Sequence, residues 1–101
     1  MKQITFNYDN GTGIIERRKG YLLEHFGERF IACKSKSDIH WFIVHQRTNG
    51  LFEFTQPLPE TRKDAIKRAL VILNRIGKER ALRHIEARVN TLQLHEKPKT
   101  K

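Results

Sequence analysis

The side chains with most chemistry to offer in this 101-residue chain are its cations. Lys63, Lys67, Arg68 and Arg75 recur at helical spacing, and Arg80, Arg83 and Arg88 follow in the next segment. Arg17, Arg18 and Lys19 stand in a row before Gly20. Lys and Arg clustered in this way neutralise phosphates and release condensed counterions, so the attraction weakens steeply with salt. The chain holds 20 Lys and Arg against 11 Asp and Glu, a formal net charge of +9. Residues 1–59 contain eight basic and six acidic side chains, whereas residues 60–101 contain twelve and five. The positive field therefore belongs mainly to the second part. A solvated helix face kept soluble by charge is the plainer reading, but a balanced surface would serve solubility equally well. Arg17 to Lys19 fit two roles equally: following a phosphate backbone, or guarding an edge strand against unwanted pairing.

Titratable and nucleophilic groups offer less. Five histidines are present, and His45 and Glu53 can approach across a hairpin with Arg47 nearby, in the manner of a small metal-independent ribonuclease site. Ordinary strand-end polar residues give the same pattern. His40 and His45 are five apart and face opposite ways on a regular strand. The sequence has no His-x-x-x-His, paired Asp cluster, glycine-rich phosphate loop or Ser nucleophile motif. No catalytic residue, cofactor or metal is expected. The single Cys33 excludes an intramolecular disulfide or a Cys-based zinc site and reads as a buried inert thiol. Trp41 reads first as core and second as a surface on which a base stacks.

The elements that must position these groups divide at Pro57-Leu58-Pro59. Before it, short apolar runs alternate with turn signals. Ile4 to Tyr8 and Ile14 to Arg17 flank an Asn10-Gly11 turn, and Gly20 marks a further turn before a strand from Tyr21 to Phe26. Phe30 to Lys34 is the next strand, followed by Ile39 to His45, whose continuous apolar run predicts cover on both faces. Asn49-Gly50 then turns the chain into Leu51 to Thr55, with Phe52 and Phe54 on the face where a helix lands.

After Pro59 the spacing turns helical. Thr61-Arg62-Lys63-Asp64 has capping-box spacing, and Ala65, Ile66, Ala69, Leu70, Leu73 and Ile76 share one side. A second apolar stripe, Leu82, Ile85, Val89 and Leu92, lies roughly 160° from the first if the helix runs straight through Gly77. Two arrangements satisfy this offset: a break at the permissive Gly77, so that a second helix folds back, or a continuous helix whose second stripe meets another copy of the chain. A break at Gly77 is expected. The expected fold is α+β, with an antiparallel sheet of about five strands over residues 1–59 and helices over residues 60–94 in one basic domain. A flexible basic tail, residues 95–101, follows.

Trp41, the Asn49-Gly50 turn and Thr61-Arg62-Lys63-Asp64-Ala65-Ile66 together resemble the sheet-plus-helix of AP2-type and tyrosine-integrase amino-terminal DNA-binding domains. The likeness spans under half the chain and bears on architecture. In those families the sheet enters the major groove, which implies contacts from strands around Lys34 and Arg47. This chain departs by adding a hairpin before, a second helix after, and most of its cations on the helices.

The leading expectation is a small non-enzymatic nucleic-acid-binding protein, DNA or RNA, of the phage or plasmid accessory kind. The rival is an interaction module that blocks a host nucleoprotein or nuclease, or meets an acidic protein surface. It would use Leu82, Ile85, Val89 and Leu92, and the same stripe suits a homodimer. No apolar run reaches the roughly 18 residues of a membrane span, and the start lacks a secretory signal's apolar stretch, so no membrane partner and a cytoplasmic location are expected.

Overall fold

The computed structural model describes residues 2–9, 12–36 and 39–96, the side chains of 92–96 excepted. Five strands precede two helices: β1 (Gln3–Asp9), β2 (Ile15–His25), β3 (Glu28–Lys34), β4 (Trp41–His45), β5 (Gly50–Leu51), α1 (Arg62–Ile76) and α2 (Lys78–Glu96). The strands form one antiparallel sheet in the order β1-β2-β3-β4-β5. The fold is the expected α+β arrangement. No helix among the described residues is long and apolar enough to cross a membrane.

Local chemistry sets the connections. Phe26 and Gly27 both have positive φ and close the His25–Glu28 pair as a two-residue hairpin. Thr61 caps α1, its hydroxyl accepting from the Asp64 N–H at 3.0 Å. The Asp64 carboxylate pairs with Arg68 at 3.0 Å, so this is half of a capping box. Gly77, at φ 89°, ends α1 with its N–H on the Leu73 carbonyl, and α2 starts at the next residue. The helix breaks at Gly77. Ala81 joins the core in place of the predicted stripe, while Leu82, Ile85 and Val89 are half-buried. The Leu92 side chain and the tail from residue 97 lie outside the described residues. The helix itself continues through Glu96, two residues past the expected boundary.

Gly20 is no turn. It sits within β2, which runs unbroken through both segments read as separate strands. A Cβ there would lie 2.4 Å from Ile31 Cγ2, 2.9 Å from the Ala32 carbonyl oxygen and 3.2 Å from the Phe6 ring. A missing side chain in a strand interior permits a sharp bend and close approach, and the sheet curls. In a flat sheet β1 and β4 would lie about 14 Å apart, yet the Tyr8 and Phe42 ring centroids are 5.7 Å apart. Asn49, in the β4–β5 turn, donates from Nδ2 to the Asp9 carbonyl at 2.8 Å. The β1–β2 hairpin therefore folds over one face of β3 and β4 and buries Phe6, Ile31, Cys33 and Val44.

The other face carries Phe30, Ala32 and Ile43 against Ala65, Ala69 and Leu73 of α1 and Ala81 of α2. β4 is thus covered on both sides, as its apolar run requires. Only Gly50–Leu51 pair as β5, but the Phe52 N–H still bonds the Ile43 carbonyl. Phe52 meets Phe30 edge-on at 5.5 Å, and Phe54 stands 6.3 Å from Phe52, so both aromatic rings face the helical layer.

Candidate nucleic-acid interface

The sheet's helix-side face is wider than the helices that cover it. Residues opposite one another in an antiparallel ladder share a face, and each strand alternates. The register therefore places Asn7 with Arg17, Thr5 with Lys19, Gln3 with Tyr21 and Ala32, and Lys34 with Trp41 on that face. Lys19 and Lys34 each lie two residues from the Tyr21–Ala32 pair, on the open side of it. Arg17, Lys19 and Lys34 are exposed, Tyr21 and Trp41 half-buried. The β1 residues beside them, Gln3, Thr5 and Asn7, are exposed and uncharged.

α1 begins at the margin of this apron. The Trp41 N–H donates to the Pro59 carbonyl at 2.9 Å, which anchors the chain just before Thr61. Arg62 then lies over the Tyr21 ring, its Cζ 4.0 Å from the centroid, and the Tyr21 and Trp41 rings are 6.2 Å apart. The first turn of a helix carries partial positive charge from unpaired N–H groups, and Arg62 and Lys63 add two full charges there. Both are exposed.

The remaining predicted cations separate into free and engaged groups. Lys63, Lys67 and Arg75 of α1 and Arg80 and Arg83 of α2 are exposed and form no ion pair with any described residue. Arg88 is exposed beside Phe30, Phe52 and His45, at the sheet end against which α2 packs. Arg17 bonds Asn7 Oδ1 at 3.0 Å and stays exposed. Arg68 is occupied within the fold: it donates to the Pro57 carbonyl and to the Thr55 carbonyl at 3.3 Å, besides pairing Asp64.

Arg18 faces the inside of the curl. Its side chain is 11% exposed, it donates to the Lys34 carbonyl and pairs Glu16 at 3.3 Å, and it lies 5.8 Å from the Phe42 ring centre. Arg18 thus ties β2 to the end of β3, while its neighbours Arg17 and Lys19 point out. Arg18→Ala should lower stability by about 2 kcal/mol, the usual scale for losing charged hydrogen bonds. Arg17→Ala should stay within about 0.5 kcal/mol of the parent, as exposed positions do. Denaturant melts of the two variants check this.

The histidine reading is corrected. His45 is buried, and its partner is Glu28 of β3 in place of Glu53: His45 Nε2 lies 2.7 Å from Glu28 Oε1. Nδ1 lies 2.7 Å from the Thr48 hydroxyl. Arg47 pairs Glu28 and Glu86, each at 3.2 Å, and so links this cluster to α2. Glu53 is instead beside Lys67 and Arg68 at the α1 surface. Register explains the switch, because His45 sits opposite Phe30 and Gly50, and Glu28 is two residues along the same face of β3. Cys33 is buried as expected, and burial raises its thiol pKa against the opposing pull of Arg18. Among the described residues no group of three His, Cys, Asp or Glu could hold a metal ion.

The chain matches no protein-family model, and comparison with curated proteins and with solved structures finds no match either. Sequence reading put the weight on the helices because most cations are there. It passed over the Arg17-x-Lys19-x-Tyr21 alternation, a period of two that places all three on one strand face.

Proposed function

We propose that this protein binds nucleic acid without catalysing a reaction on it, using the basic sheet apron and the first turn of α1. The observation that carries the reading is the co-facial placement of Arg17, Lys19 and Lys34 with Tyr21 and Trp41, bordered by Arg62. Cations spread over one face beside the uncharged Gln3, Thr5 and Asn7, with Asp9 as the acidic residue at the far end of β1, are suited to phosphates, which offer a negative charge at every nucleotide. Lys63 extends the same field along α1. Lys67, Arg75, Arg80 and Arg83 raise the long-range attraction that brings a polyanion to the surface.

Anisotropy titrations of labelled oligonucleotides at low and near-physiological salt test this. Lys19→Gln with Lys34→Gln should weaken binding to every sequence roughly tenfold at low salt and reduce the salt slope by about one per residue replaced. Lys67→Gln with Arg75→Gln should do less. The reverse ranking would move the contact surface to the outer side of α1. Absence of binding to any oligonucleotide at low salt would favour a protein partner. The half-buried Leu82, Ile85 and Val89 of α2 are the surface that supports that second reading.

A further inference from the structure

The apron carries more than charge. Tyr21 and Trp41 pack against the margin of the core yet stay half-buried, and neither the Tyr21 hydroxyl nor the Trp41 indole N–H has a hydrogen-bond partner among the described residues. When such side chains serve only as core, their polar tips are usually bonded. Here the helical cover stops short of them. Arg62, itself exposed, sits 4.0 Å above the Tyr21 ring centre, so a planar cation continues the aromatic surface outward. Lys34 pairs directly with Trp41 across the β3–β4 ladder, and Lys19 lies two residues from Tyr21 on β2.

Cations alone suit a duplex and a single strand alike. Base faces distinguish the two, because in a duplex they are stacked on one another, whereas unpaired bases can stack on aromatic rings and on Arg guanidinium planes. A ring-and-guanidinium platform set between lysines is matched to the second case. We propose that the ligand of this face is single-stranded nucleic acid. Its backbone runs past Arg17, Lys19 and Lys34, and a base stacks on the surface formed by Trp41 and by Arg62 over Tyr21. This inference rests on the nucleic-acid reading above and names the ligand class for the same face.

Trp41 is the chain's one Trp, so its emission reports on this platform alone. The full-length protein is titrated with oligo-dT, oligo-U and a mixed-sequence duplex of equal length, following Trp41 emission and, with labelled strands, anisotropy. Single strands should quench Trp41 saturably and bind at least tenfold more tightly than the duplex, which should leave the emission nearly unchanged. Comparison of oligo-dT with oligo-U separates DNA from RNA as the preferred strand.

Arg62→Gln, an exposed change that leaves the core intact, should weaken single-strand binding roughly five- to 150-fold, the range for loss of one stacked base. Its effect on the duplex should be much smaller. Trp41→Phe, which keeps a ring in place, should preserve part of the single-strand affinity. Duplex binding as tight as single-strand binding would overturn the proposal, as would single-strand binding that leaves both Trp41 emission and the Arg62→Gln affinity unchanged. Failure of all three probes to bind at low salt overturns the nucleic-acid reading as well, so the two failures are distinguishable.

Discussion

Gly20→Ala is expected to lower the melting temperature by roughly 12–24 °C. The added Cβ would stand 2.4 Å from Ile31 Cγ2 and 2.9 Å from the Ala32 carbonyl oxygen. The first neighbour belongs to a fully buried side chain and the second to the backbone of the central strand β3, so neither can swing aside. Overpacking of this kind costs about 3 kcal/mol, and each kcal/mol is worth about 4–8 °C in a domain of this size. The cost comes from space, since Gly20 lies in ordinary strand backbone with no positive φ.

Gly77 provides the contrast. Its φ is +89° with nothing within 4 Å of an added Cβ, so Gly77→Ala should cost about 1 kcal/mol through backbone strain alone. Thermal unfolding by circular dichroism compares the two. Because the bend at Gly20 brings Phe6 onto Ile31 and Tyr8 onto Phe42, the Ala variant should also expose the inner cluster and increase binding of a hydrophobic dye. A Gly20→Ala protein melting within a few degrees of the parent would mean that the curl does not depend on this contact.

What the sequence made legible follows from how local each signal is. The Asn49-Gly50 turn, the Thr61 cap and the break at Gly77 are each written within four or five residues, and each stands where the sequence places it. The Phe52 and Phe54 alternation was readable for the same reason. The curl was not, because a glycine in an apolar setting reads equally as a turn or as a close approach. Only the crossing of Phe6 and Ile31, separated by 25 residues, decides between them. The apron shows the same division. Pleat parity puts Arg17, Lys19 and Tyr21 together from sequence alone, but which side of the sheet the helices leave open is a tertiary fact. For Arg18, the same parity opposes it to Arg17 and Lys19, but that its face is the closed inside of the curl is again a tertiary fact. Likewise Glu28 is 17 residues from His45, and only the β3–β4 register brings it there in place of Glu53.

His45→Ala should cost about 3–4 kcal/mol, the other large effect expected in this fold. The ring is 5% exposed, with its centroid 5.1 Å from Phe30, so truncation opens a cavity beside the core. It also strips two polar partners. Nε2–H donates to the Glu28 carboxylate, Nδ1 lies 2.7 Å from the Thr48 hydroxyl, and that hydroxyl oxygen also accepts from the Gly50 N–H at 3.3 Å. Removing the ring leaves the Glu28 carboxylate, 16% exposed, with only the half-exposed Arg47 for company, and leaves the 7%-exposed Thr48 without a side-chain partner. A buried polar group stranded in this way costs more than the bond itself contributed.

Glu28→Gln is the milder companion. It preserves shape and one hydrogen bond to His45 and should cost about 1–2 kcal/mol by weakening a charge-assisted bond and the Arg47 pair. A double-mutant cycle between the two positions, read by urea melts, should return a coupling above about 1 kcal/mol. Additivity within error would mean that the His45–Glu28 contact contributes nothing beyond packing. The same cycle bears on α2: Arg47 joins Glu28 to Glu86, so a disturbed Glu28 should speed amide exchange in the turns of α2 around Glu86 more than in α1, which is held by Ala65, Ala69 and Leu73. The histidine read from sequence as a candidate for proton transfer thus sits in the structure with both ring nitrogens engaged, where β3, β4 and the Thr48 turn are pinned together and Arg47 carries the link on to the second helix.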